Sequence, residues 1–194
     1  HLIVYADPAP SNKKSEAGSY KAAFIIGLLN GTFYVITGYL DHVKNSEFVD
    51  WLYYLDQYVN KRTQTYNYIE NNSLQDPFYQ QVFKPLFVEK GKEHGYYLSI
   101  SPDERKKPDK FSRMEGNLEP LMKQNRLILN EKEKSNPHMQ RLGEQFLLVN
   151  PKLTAPADGV DCIEGGVFIA NNKQVASGFG DATFGKRRTN KKRY

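Results

Sequence analysis

Leu2-Ile3-Val4-Tyr5-Ala6-Asp7 is the stretch that decides how this chain is read. An unbroken apolar run of this length predicts a short buried strand. The carboxylate that ends it is costly to bury unless something cationic meets it. Two β-prone runs follow, residues 21–29 and 32–40, on either side of Asn30-Gly31. That dipeptide accepts positive φ at both positions and closes a tight hairpin. The three runs together predict an antiparallel meander with Asp7 near its head.

Beyond residue 45 the pattern changes to helix and strand in alternation. Residues 46–59 predict a helix with Ser46 as N-cap and with Phe48, Leu52, Leu55 and Val59 on one face. Residues 66–70 predict a strand inside the sheet. Residues 78–91 predict a helix that is kinked, or starts late, at Pro85. A fifth strand is expected over 96–100, and a helix broken near Gly116 or Pro120 over 110–123. A short strand at 126–129 and helices at 137–149 and 159–170 complete the reading. A meander followed by alternation predicts an α/β domain: a mixed sheet, three antiparallel strands plus parallel ones, with helices on both faces.

The chain has 194 residues, enough for one full core and too few for two ordinary domains. Hydrophobic residues make up 39% of it, which suits a globular domain and not a disordered chain. No apolar run approaches transmembrane length, so no membrane partner is expected. The lone Cys162 excludes an internal disulfide and fits a reducing compartment. The net charge is +5, yet residues 186–194 hold six of the 27 basic side chains and no acid. The rest of the chain is close to neutral, and 186–194 reads as a basic tail, expected to be disordered, behind a domain at 1–185. A basic tail attracts nucleic acid or anionic surfaces by counterion release, and an ordinary solvated chain end has the same composition.

Three acids occupy comparable settings: Asp7, Glu70 after Tyr66-Asn67-Tyr68-Ile69, and Asp158 before Gly159-Val160-Asp161-Cys162-Ile163. Each has an ordinary explanation alone, as a strand-end carboxylate or, for Asp158, a helix N-cap. Gathered at one sheet edge, they form a site for hard divalent cations such as Mg²⁺ or Mn²⁺. Carboxylates held that close repel one another, so at least one should have a raised pKa without metal. Asp161, three residues after Asp158, shares a helical face with it and is a further candidate ligand or a neighbour that supports one. His1, His42, His94 and His138 lack mutual metal-ligand spacing and read as surface residues. Residues 180–186 look like the start of a P-loop, but Arg187 stands where Ser or Thr would hold Mg²⁺, which rejects that reading.

The order of these motifs resembles the C-terminal nuclease domain of large terminase subunits, the DNA-packaging motors of tailed bacteriophages. The resemblance is carried by Tyr5-Ala6-Asp7-Pro8-Ala9, Gly38-Tyr39-Leu40-Asp41 and Tyr68-Ile69-Glu70-Asn71-Asn72. It continues through Lys110-Phe111-Ser112-Arg113-Met114, Leu118-Glu119-Pro120-Leu121 and Asn125-Arg126-Leu127-Ile128. It closes with Gln145-Phe146-Leu147 and Ala157-Asp158-Gly159-Val160-Asp161-Cys162. It implies an RNase H-like fold and a two-metal endonuclease that cuts concatemeric double-stranded DNA, with Asp7, Glu70 and Asp158 as catalytic ligands of two Mg²⁺ or Mn²⁺ ions. Two metals together activate water, neutralise the phosphate and stabilise the leaving oxygen.

The resemblance also implies phosphate contacts from Lys106, Lys107, Lys110 and Arg113. Its expected partners are an ATPase motor domain, the portal and a small terminase subunit, at work in the host cytoplasm. A start at His1-Leu2, already inside the first strand, is what an excised domain would show. One departure matters: Ala157-Asp158 stands where many relatives have Asp-Asp. That keeps two other readings open. One is a different RNase H-like nuclease, such as a junction resolvase or ribonuclease H. The other is a non-catalytic module that binds DNA or docks on the portal.

Overall fold

A computed structural model describes residues 2–9, 19–71, 79–103, 105 and 107–179, with side chains described to residue 173. The meander forms as the sequence predicts. Strands β1 (Leu2–Asp7), β2 (Lys21–Leu29) and β3 (Thr32–Asp41) pair antiparallel in sequence order. Asn30 and Gly31 close the β2–β3 hairpin with φ of 50° and 74°, the left-handed pair that matches the strands' twist. β4 (Thr65–Glu70), β5 (Ile100–Asp103) and β6 (Leu127–Leu129) then join in parallel, giving the order β5-β4-β1-β2-β3-β6.

β2 lies at the centre, and its first seven residues are buried. Alternation along the strands splits the core in two. Ile3, Tyr5, Phe24 and Ile26 face helices α3 (Lys110–Lys123), α4 (Pro137–Leu148) and α5 (Asp158–Phe179). Val4, Ala6, Ala23 and Ile25 face α1 (Asn45–Val59) and a π-helical turn, Tyr79–Phe83, that runs into α2 (Lys84–His94). The expected helices on both faces are present, and among the described residues no helix is long and apolar enough to cross a membrane.

Several boundaries differ from the sequence expectation, each for a physical reason. α3 runs unbroken through Pro120. Pro120 lacks the N–H that would bond the Gly116 carbonyl, and both residues lie on the exposed side of the helix, where water can meet that carbonyl. Arg113, Met114 and Leu118 meanwhile anchor the opposite face. β5 forms over Ile100–Asp103 and not over 96–100, although it contains Pro102. β5 is the edge strand, where a proline costs no ladder bond on its open side. α1 begins at Asn45 with no side-chain cap from its flanking Lys44. The 186–194 tail and the P-loop-like stretch lie outside the described residues.

α5 extends well past residue 170 and lies close on the sheet. A Cβ at Gly165 would come within 2.3 Å of the Tyr5 ring, and one at Gly166 within 2.0 Å of Ile26 Cδ1. The two glycines set the distance between the helix and β1–β2. Gly166→Val should therefore destabilise the domain by about 2–3 kcal/mol through overpacking, measured as a lower denaturant midpoint.

Candidate metal centre

Parallel pairing of β1 with β4 matches Ala6 to Ile69, so the next residues, Asp7 and Glu70, stand side by side at the strands' C-terminal ends. Both continue the alternation of Tyr5 and Tyr68 and face α5. The first turn of α5 crosses above them and supplies Asp161. One carboxylate oxygen from each of Asp7, Glu70 and Asp161 lies within 4.8 Å of the others. Glu70 and Asp161 are buried, and Asp7 keeps part of its surface open.

Asp158 sits one turn earlier on α5 and is held elsewhere. Its Oδ2 accepts from the Tyr20 backbone N–H at 2.9 Å, and its Oδ1 from Lys110 Nζ at 2.9 Å. Of the acids singled out in the sequence, Asp7, Glu70 and Asp161 are thus brought together, while Asp158 braces the rim. Two further acids gave no sequence signal. Asp103 follows Glu70 across the sheet, paired with it in register. Glu164, fully buried, follows Asp161 by three residues on α5.

The basic residues expected to face phosphate turn toward these carboxylates. Arg113 grips both oxygens of Asp161, Nη1 to Oδ1 and Nη2 to Oδ2, and also donates to Glu164 at 3.0 Å. Lys107 Nζ lies 2.6 Å from Glu70 Oε2. Lys110 bridges Asp158 and, at 3.5 Å, Asp161. Arg105 joins Asp103 to Glu164, and the Tyr5 hydroxyl donates to Asp103 at 2.5 Å. Lys106 lies outside the described residues.

The electrostatics follow from this crowding. Desolvation, and then the charges of Glu70 and Asp161, raise the Asp7 carboxyl well above the ordinary carboxylate range, against the pull of Lys107. Burial lowers Lys21, whose ammonium donates to the Ala9 carbonyl at 2.9 Å, to about 8 despite the nearby Asp7. Burial alone would lower Lys110 as well, but Asp158 and Asp161 hold it above its usual value. Cys162 is buried behind the site with its thiol on the Tyr5 carbonyl at 3.3 Å, and burial pushes that thiol up.

The donor set suits a hard divalent cation: oxygen ligands only, one carboxylate with a raised pKa, and a Glu70 oxygen without a hydrogen bond. His1 lies outside the described residues, and the other three histidines take no part in it. His42, His94 and His138 are half-buried against aromatic rings, which corrects the expectation of surface residues; His94 stacks on Tyr53 at 4.2 Å and pairs with Asp50 at 3.0 Å. A concavity of about 580 Å³ at the other end of the sheet is lined chiefly by aliphatic residues, from Leu2 to Leu129, and lacks this chemistry. A cleft of about 360 Å³ lined by Ser19, Lys110 and residues 153–158 opens beside Asp158.

No protein-family model matches the chain, and no curated protein matches it in sequence. Solved structures do match its fold. The terminase nuclease domain of human cytomegalovirus, manganese-soaked and inhibitor-bound, superposes with a TM-score of 0.64 at 10% identity, over 90% of this chain and 85% of that one. The same domain without those additions gives 0.63 at 10% identity, over 91% and 87%. The chain therefore shares its fold with these terminase nuclease domains, the fold that the order of its motifs implies.

Two measurements check the electrostatics. Native Asp7 keeps a proton that the unfolded chain releases near its ordinary value. Stability in EDTA should therefore fall as pH rises from that value through Asp7's raised one. Thermal melts of Asp7→Asn should be flatter over the same window. Arg113→Met should cost about 3–5 kcal/mol in chemical denaturation, because it strips a buried cation from Asp161 and Glu164.

Proposed function

We propose that this domain is a divalent-metal-dependent endonuclease that hydrolyses phosphodiester bonds of double-stranded DNA, cutting concatemeric genomes during packaging. The observation that carries the reading is the convergence of Asp7, Glu70 and Asp161 within 4.8 Å. It occurs in a fold shared with terminase nuclease domains, one of them studied with manganese. In that setting the expected partners are duplex DNA, an ATP-hydrolysing motor domain, the portal and a small terminase subunit.

Asp7, Glu70 and Asp161 would hold the cations, and oxygen donors favour Mg²⁺ or Mn²⁺ over softer ions. A pair of such ions, when bound, supplies charge neutralisation at the phosphate and activation of water. The acids act as ligands and not as nucleophiles. Asp158 orients Lys110 at the mouth of the 360 Å³ cleft, where an ammonium suits a phosphate of the incoming strand. Arg113 fixes the rotamer of Asp161 by its two-nitrogen grip and is too deeply buried to reach a duplex. A site assembled from backbone-directed charge reads phosphates, so this domain should contribute little sequence preference.

Supercoiled plasmid incubated with Mn²⁺ should be nicked and linearised, and EDTA should stop this. Asp7→Asn, Glu70→Gln and Asp161→Asn should each lower the rate at least about a hundredfold, whereas Asp158→Asn should lower it about ten- to a hundredfold as a residue that supports the ligands. Cleavage that survives Asp7→Asn would place the activity elsewhere.

A further inference from the structure

Among the described residues four cations enter the site from the 105–113 segment, and Lys107 is held differently from the other three. Arg113 and Arg105 make forked contacts, and Lys110 donates to Asp158 at 2.9 Å. Lys107 Nζ lies 2.6 Å from Glu70 Oε2, yet neither of these buried atoms makes a hydrogen bond of acceptable angle. The side chain is 9% exposed, the Tyr5 ring centroid lies 5.5 Å from its ammonium, and its charge also reaches Asp7 without a hydrogen bond. An ammonium has three donors to place, and leaving them unmade in a buried site is unfavourable. The contact is therefore charge on charge. Without Lys107 the group formed by Asp7, Glu70 and Asp161 would keep Arg113 and Lys110, both on Asp161, and Lys21 near Asp7, but no cation on Glu70 among the described ion pairs.

A divalent ion held by Asp7, Glu70 and Asp161 carries twice the charge of the ammonium and competes with it for the Glu70 carboxylate. Two cations that close repel each other strongly in a buried site. The flexible four-carbon stem of lysine lets its ammonium swing off Glu70. We propose that Lys107 is an internal counter-ion that keeps the carboxylates together without metal, is displaced from Glu70 by the divalent ion, and is thereby released to meet a substrate phosphate. The inference rests on the metal-site reading above and adds an exchange to it: metal occupancy and phosphate capture become one event.

Mn²⁺ binding to EDTA-stripped protein, followed by calorimetry, tests this with Lys107→Met, which keeps the stem and loses the charge. The variant should bind Mn²⁺ about tenfold more tightly than the parent, and Lys107→Arg should return the Kd toward the parental value. An unchanged or weaker Kd in Lys107→Met overturns the exchange and leaves the metal site standing, as does equal tightening by Lys107→Arg. Absence of Mn²⁺ binding in both parent and Lys107→Met sinks the metal-site reading and the exchange with it.

Amine labelling of the parent, read by peptide mass, separates exchange from a charge acting at a distance and needs no variant to fold. Lys107 should acetylate slowly in EDTA and at least about fivefold faster in saturating Mg²⁺. Continued protection in Mg²⁺ would overturn the proposal even if the Lys107→Met Kd fell.

Discussion

Mutual repulsion among carboxylates at one end of the sheet is the constraint that organises this molecule. Asp7, Glu70 and Asp103 end three adjacent parallel strands, and Asp158, Asp161 and Glu164 line the start of α5. Such a cluster would push the strands and the helix apart. It is held by Arg105, Lys107, Lys110 and Arg113, all from one segment between β5 and the second turn of α3. That segment clamps helix to sheet by charge, as Gly165 and Gly166 let them meet by shape.

The clamp is graded from inside to outside. Glu164, with no exposed surface, takes Arg105, Arg113 and Asn117 at once, a saturated set with a purely structural role. Asp161 shares Arg113 with it and joins Asp7 and Glu70. Glu70 and Asp7 are the least well satisfied, one through a poorly angled ammonium and the other through a raised proton affinity. Buried polar groups left short of partners mark the place where a ligand completes the structure. The unsatisfied end of this network coincides with the acids that a divalent ion would need.

Much of the fold was legible because local chemistry dictates it. The Asn30-Gly31 turn, the apolar run ending at Asp7 and the helical spacing in α1 and α4 each allow one conformation, and the sheet keeps them. Where the reading slipped, tertiary context overrode a local rule. Pro120 sits in a continuous helix because it lies on the exposed side while Arg113, Met114 and Leu118 anchor the other face, and Pro102 sits in a strand because β5 is an edge. Legibility was lower at the site. Arg113 and Lys107 look like surface cations in the sequence, and Glu164 like any helical acid, because their partners are distant in the chain.

By itself the sequence determined the meander, the alternation that follows, and the presence of isolated acids at strand and helix ends, since spacing and turn chemistry are local. Only the tertiary structure decided which acids meet. The β1–β4 register sets Asp7 beside Glu70, and the pitch of α5 carries Asp161 over them while turning Asp158 to the rim. Three residues along a helix leave two side chains on one face but about 60° and about 4.5 Å apart, so the choice between neighbouring acids depends on how that helix is docked on the sheet.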